Sequence, residues 1–269
     1  MNWLKVVKGE IYKQHRNSFH SKITYFSLLI WPILHFSNAY FSYKPFSLDN
    51  LKFIQLDSYD QLISFLLIGF LTYLSFKSLM QSAWQMSYER SNGTLETIFL
   101  SPANRLSILY GRTLGALFEN IWMFFVFTIF MLFIIGAIPI AHIIYLPVCF
   151  LLIIVTATFW GGLLNAIFLF SRDASILFMI LDDPMMLFSG VRIPVALFPV
   201  WAQVIGFIFP LTHVLFVIRD LLLLGTLSPA SINSLWYLVI ELALMLLITL
   251  LVVKRAERHA RVNGNLTFY

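Results

Sequence analysis

Two adjacent carboxylates, Asp182 and Asp183, sit with Pro184 inside the oily run SILFMILDDPMMLFSGVRIP, residues 175–194. At about 1.5 Å of rise per residue, Asp182 lies roughly 10 Å into an apolar core about 30 Å thick. A short Asp side chain cannot reach water from there, and a charge at that depth costs at least about 2.5 kcal/mol. The pair must therefore face the bundle interior, face water, or hold a proton. Neighbouring helical residues point about 100° apart, so a regular helix aims only one of them at a central path. Pro184 removes the helical donor for the Ile180 carbonyl and is expected to bend the span. Two readings stay open. Asp182 or Asp183 lines a translocation path and meets a cationic or hydroxyl-bearing substrate, or the pair is structural and hydrogen-bonded to neighbouring spans. Glu241, midway along the last apolar run, faces the same choice. His142 and His213 stand alone in the sequence, so no metal site is expected.

The elements that position these groups are membrane helices. The chain has 269 residues, 59% hydrophobic and only 12% charged. Soluble domains carry about 25% charged residues. The shortfall and the repeated apolar runs place the chain in a bilayer as an all-α polytopic protein, leaving no room for a sizeable soluble domain. A net charge of +5 does not indicate nucleic acid, because the basic residues flank apolar runs. They read as orientation signals and anionic-lipid contacts. Cys149 is the single cysteine, which excludes an internal disulfide and a thiolate cluster.

Six spans are expected, at 23–43, 61–80, 114–138, 143–170, 174–190 and 233–253. Residues 1–22 read as an amphipathic helix on the membrane surface, with Trp3, Leu4, Val7 and Ile11 on one face. The transmembrane domain covers 23–254 and a basic tail covers 255–269. Residues 191–224, broken by Pro194, Pro199 and Pro210, read as re-entrant helices dipping in from the outer side; backbone irregular at that depth must be buried in protein. With both termini cytoplasmic, Lys44, Lys52, Arg192 and Arg219 are the only basic residues outside, as the positive-inside rule favours. Arg219 and Asp220 are expected to pair locally across the outer hairpin.

The polar loop 86–105 carries YERSNGTLETIFLSPANR. Asn92 or Thr94 can cap a short helix, Glu96 suits its first turn, and Ser101-Pro102 ends it. Leu95, Ile98, Phe99 and Leu100 then form an apolar tip rimmed by Glu89, Arg90 and Arg105. Such a knob suits docking into another protein's cleft; the alternative is a solvated loop.

The order Glu89-Arg90, Gly93-Thr94-Leu95-Glu96, Ser101-Pro102 resembles the loop after the second span of ABC-2 type transporter permeases. A second stretch is similar to the same family: Ser189-Gly190, Pro194, Pro199-Val200-Trp201, Pro210-Leu211-Thr212 and Arg219. The basic tail with Gly264 and Leu266 is similar to the drug- and lipid-exporter-like branch. The resemblance implies a dimeric channel, built from two identical chains or a related paralogue, with an interfacial helix, a coupling helix and re-entrant helices between spans five and six. It implies an ABC ATPase partner that binds ATP and Mg, while this chain holds no cofactor and shows no Gly-rich Lys-Ser/Thr phosphate loop. It also implies residence in the cell membrane among lipids and export of a hydrophobic small molecule, drug or lipid. Export of a lipid-linked polysaccharide or a peptide is the alternative within the family. A membrane-embedded enzyme is the alternative outside it, and only Asp182-Asp183 offers it paired acids.

Overall fold

The computed structural model describes residues 3–18, 21–43, 59–82, 89, 92–94, 101, 103–130, 132, 138–168 and 174–263. Among these residues all regular structure is helical. The helices are α1 (Trp3–Ser18), α2 (Lys22–Tyr43), α3 (Tyr59–Gln81), α4 (Arg105–Thr113), α5 (Leu117–Phe130), α6 (Leu146–Phe168), α7 (Ala174–Phe188), α8 (Val200–Ile208), α9 (Pro210–Arg219) and α10 (Pro229–Asn263).

α3 is the centre of the bundle. From Leu62 to Met80 it is buried on nearly every side, and α2, α5, α6 and α9 pack around it. A helix enclosed on all sides must be apolar all round, and its few polar atoms are used to fix neighbours. Asn120 of α5 donates through Nδ2 to the Ser75 carbonyl at 2.5 Å and to Ser78 Oγ at 2.8 Å. Asn165 of α6 reaches Thr113 Oγ1 at 3.3 Å. Such contacts within a membrane contribute about 0.6 kcal/mol each, and more to register than to stability.

Among the described residues four helices are long and apolar enough to cross a bilayer: Gln61–Gln81, Arg105–Phe130, Ile140–Phe168 and Pro229–Arg258. A fifth is reached if the bent pair Val200–Ile208 and Pro210–Leu224 counts as one span. α2 has 22 residues but, with Ser, Asn and His interspersed in its aromatic run, is not among them, and α7 has only 15 residues.

Several expected boundaries move, each for a local reason. The third span starts at Arg105 rather than Leu114, because Asn104 caps it by accepting from the Leu106 N–H at 2.9 Å. A 3₁₀ turn, Leu114–Ala116, then links α4 to α5. The fourth helix is preceded by a 3₁₀ turn over Ile140–Tyr145 that begins after Pro139. α10 continues from Pro229 to Asn263 and so absorbs much of the expected tail. α7 runs through Pro184 and ends where Gly190 takes the left-handed φ of 84°.

The surface helix α1 shows two faces. Val6, Val7 and Gln14 are buried against the protein, while Trp3 and Leu4 are exposed. The expected single apolar face of Trp3, Leu4, Val7 and Ile11 is thus split between protein and surroundings. α1 packs on α4 closely enough that a Cβ on Gly111 would lie 3.1 Å from Val7 Cα. A Cβ on Gly115 would lie 2.6 Å from the Gln14 side chain. Those two glycines, one turn apart, let the backbones approach.

Candidate functional site

The close contact of α1 with α4 brings four charged side chains together. Glu89, in the segment between α3 and α4, accepts from Lys13 Nζ at 2.5 Å and from Arg112 Nη2 at 2.8 Å. Arg112 Nε lies 3.7 Å from Glu10 Oε2, and Lys13 Nζ lies 3.9 Å from the same oxygen. The Arg112 side chain is 2% exposed. A guanidinium that deep needs acceptors for its donors, and here two of them are carboxylates, which makes the bonds charge-assisted. One cluster thus ties the surface helix, the polar loop and the start of the third span.

Other described residues of this segment also find partners. Thr94 Oγ1 donates to the Glu89 carbonyl at 3.1 Å, and Gly93 turns with a φ of 68°. Arg105 donates to the carbonyls of Ser101 and Ala103 and faces Glu257 of α10 at 3.6 Å. Arg90, Leu95, Glu96, Ile98, Phe99, Leu100 and Pro102 lie outside the described residues.

The proline-broken region is likewise built on one buried cation. Arg219 donates to the carbonyls of Gly190 at 2.8 Å, Val191 at 3.1 Å and Phe65 at 3.4 Å. Its guanidinium lies 3.6 Å from the Phe65 ring centroid. Pro199 precedes α8, Pro210 opens α9, and the two helices meet at 92°. Trp201 on α8 is exposed at its edge and packs a ring against Phe188 at 5.8 Å. Pro194 introduces the short 3₁₀ turn Val195–Leu197, and Ser189 is buried at the end of α7.

This arrangement of apolar spans, an anchored loop and a broken helix pair agrees with the sequence-level match. The family described as ABC-2 family transporter protein matches residues 1–251. The chain belongs to the ABC-2 transporter family. No curated protein matches it. As an ABC-2 permease it supplies the transmembrane component of an ABC transporter, a multi-pass part whose family is a permease domain distinct from the nucleotide-binding domain, and the family implies an ABC ATPase partner.

Within the permease, the two aspartates separate. Asp182 is buried: Lys77 Nζ lies 2.5 Å from Oδ2, and the Tyr73 hydroxyl donates to Oδ1 at 2.9 Å. The Lys77 ammonium also sits 5.6 Å from the Tyr73 ring centroid. Asp183, one position on, is exposed. For Asp182 the structure therefore shows hydrogen bonding to a neighbouring span. Lys77 is the partner that sequence reasoning missed. In the sequence it reads only as one more basic residue at the end of an apolar run, although its position four residues after Tyr73 places both on one face of α3.

Other expectations need correction. Arg219 and Asp220 do not pair; Asp220 accepts from the Ser228 N–H at 2.8 Å and Ser231 Oγ at 2.6 Å, closing the turn into α10. Adjacent helical residues diverge, so each takes partners from a different neighbour. His213 is not isolated, because its Nε2 lies 3.4 Å from Glu241 Oε1. His142 uses Nδ1 against the Leu222 carbonyl at 2.9 Å. Glu10, Lys13 and Arg112 were legible only as scattered surface charges, since no spacing rule links them to Glu89.

Proposed function

We propose that this permease forms half of an ATP-driven exporter in the cell membrane, moving a hydrophobic small molecule, drug or lipid. Six spans, both termini on the cytoplasmic side, and a second permease chain complete the pore. The partner ATPase binds ATP and Mg, and its closure pushes the loop that carries Glu89, Arg90, Gly93, Thr94 and the apolar tip.

The ion cluster around Glu89 is the observation that supports this reading. A push on a solvated loop is lost to loop motion. A push on Glu89 is passed to Arg112 at the base of the third span and to Glu10 and Lys13 of the surface helix. These pieces then move as one body, the rigid-body form of switching. The apolar walls suit greasy cargo: a cleft of about 370 Å³ between α5 and the start of α6 is lined by Ile121, Phe124, Phe125, Ile129 and Phe150.

The direct test is ATP-dependent flux of a fluorescent hydrophobic dye in proteoliposomes holding the permease and the ATPase that purifies with it. Flux outward from the nucleotide-binding side is expected. Reversing the charge of Glu89 to Lys should leave the complex assembled and stop the flux. Unchanged flux in that variant sinks the coupling role.

A further inference from the structure

A cavity of about 600 Å³ lies between the start of α4 and the C-terminal half of α10. Toward the span it is walled by Leu250 and Leu251, both exposed, and by Leu106. Further along α10 the wall becomes Lys254 and Glu257, with Arg105 contributed by α4. From Leu250 to Glu257 is about 10 Å of helix. The lining thus passes from apolar to charged over the distance in which a bilayer passes from hydrocarbon to headgroups.

The charged groups are unequally occupied. Arg105 donates to the Ser101 and Ala103 carbonyls, and its Nε faces Glu257 Oε1 at 3.6 Å. The Glu257 side chain is 38% exposed, and its second oxygen has no partner among the described residues. Lys254 is exposed and sits three positions before Glu257, a spacing at which the two can pair. They do not; among the described residues Lys254 forms no ion pair. Glu257 is drawn to Arg105 instead. One wall therefore offers a spare ammonium and a spare carboxylate oxygen beside an apolar strip. A ligand that answers all three carries an anionic oxygen, a primary ammonium and an acyl chain. A purely anionic head leaves Glu257 unanswered, and a choline head has no N–H to donate.

We propose that this cleft binds a phospholipid with a phosphoethanolamine head. The phosphate meets Lys254, the ammonium meets Glu257, and an acyl chain lies along Leu106, Leu250 and Leu251. Arg105 is a positioning residue that holds Glu257. The proposal uses the multi-pass placement of α10 and depends neither on export nor on which leaflet the cleft faces.

The test uses the full chain in neutral detergent micelles with equimolar phosphatidylethanolamine, phosphatidylcholine and phosphatidylglycerol of matched acyl chains. Native mass spectrometry reads the lipid retained. The ethanolamine lipid is retained about fivefold over the glycerol lipid, the worth of one exposed charge pair. It is retained about threefold over the choline lipid, which lacks the charge-assisted hydrogen bond. Lys254→Gln lowers retention of the ethanolamine and glycerol lipids alike. Glu257→Gln, which still accepts from Arg105, brings those two to equal retention. Equal retention of the three heads by the native chain overturns the proposal and needs no variant to fold. A preference for the ethanolamine lipid that survives Glu257→Gln overturns it as well. Soluble phosphoethanolamine in about tenfold excess leaves the lipid bound, because it lacks the buried chain; displacement by it overturns the assignment to a lipid. The lipid stays bound when the ATPase is present, and its loss from that complex overturns the proposal by marking the cleft as a protein contact. No arm consumes ATP, so a failure here is distinct from a failure of the exporter reading, which shows as absent flux.

Discussion

Arg112 is almost fully enclosed and Arg219 partly so, with its Nε buried, yet the two guanidinium groups are held by opposite means. Arg112 is met by two carboxylates, Glu89 and Glu10, drawn from separate segments. Arg219 is met by three backbone carbonyls and the face of Phe65. Carboxylates on side chains can part and re-form as segments move. Carbonyls at a helix end cannot move without unwinding the end itself. The first arrangement is suited to carrying motion between parts, and the second to forbidding it. Arg219 fastens the end of α7 to α3 and α9, so the bent pair α8 and α9 has a fixed hinge. Arg112 gathers α1, Glu89 and the base of the third span, the parts on which the proposed coupling acts.

Breaking the fixed site should cost the most. Arg219→Leu strands the Gly190 and Val191 carbonyls and opens a void beside Phe65, for a loss of about 3 kcal/mol. Denaturant unfolding of the solubilised chain measures it. Arg219→Lys should rescue less than half of that loss, because a single ammonium cannot reproduce the planar fork. The same junction can be struck from α3. Gly69→Ala puts a Cβ 2.4 Å from the Val191 carbonyl oxygen and 2.9 Å from Arg219 Nη2, and overpacking against backbone costs about 2 kcal/mol. If both variants unfold like the native chain, Arg219 is not a fastener.

The mobile site should show a different split. Arg112→Met leaves Glu89 and Glu10 facing each other in a partly buried setting, at about 2 kcal/mol of stability. Its larger effect falls on function: ATP-driven flux drops about tenfold while ATPase binding persists. The reversed pair Glu89→Arg with Arg112→Glu should recover part of the flux but none of the loss caused by Glu10→Gln. A stability loss with flux untouched would make Arg112 a second Arg219 and erase the contrast.

How much of this contrast was legible beforehand depends on range. Pro199, Pro210 and Gly190 announce a broken hairpin through backbone rules that act within a few residues, and the structure places a 92° bend there. Asn104 was equally local and was passed over, because the polar loop around it hid a helix start. The apolar runs identify α3, α5, α6 and α10 by composition. α7, with 15 residues, and α2, an aromatic-rich run with Ser, Asn and His interspersed, fall outside what length and hydropathy establish. Ion partners were the least visible. Glu89 and Arg112 lie 23 positions apart, and Lys77 and Asp182 105 apart, so only the folded chain brings them together. The family motif marked Glu89 without saying what it touches.

The smallest effect separates a fastening pair from a working one inside the membrane. Lys77 and Asp182 lie between the two extremes: a side-chain ion pair, like that of Arg112, but buried within the spans, like Arg219. Removing one partner leaves an uncompensated charge, so Asp182→Asn and Lys77→Met should each lose about 2 kcal/mol in unfolding experiments, with some of the Lys77 effect relieved by its partial exposure. Replacing both by Met and Leu removes the two desolvated charges together and should cost less than either single change, about 1 kcal/mol or below. The double variant then isolates function from stability. If it transports like the native chain, the pair only packs α3 against α7. If it folds normally but flux falls, the ion pair acts during transport in the manner of the Glu89 cluster, and Asp182 belongs with the mobile site rather than the fixed one.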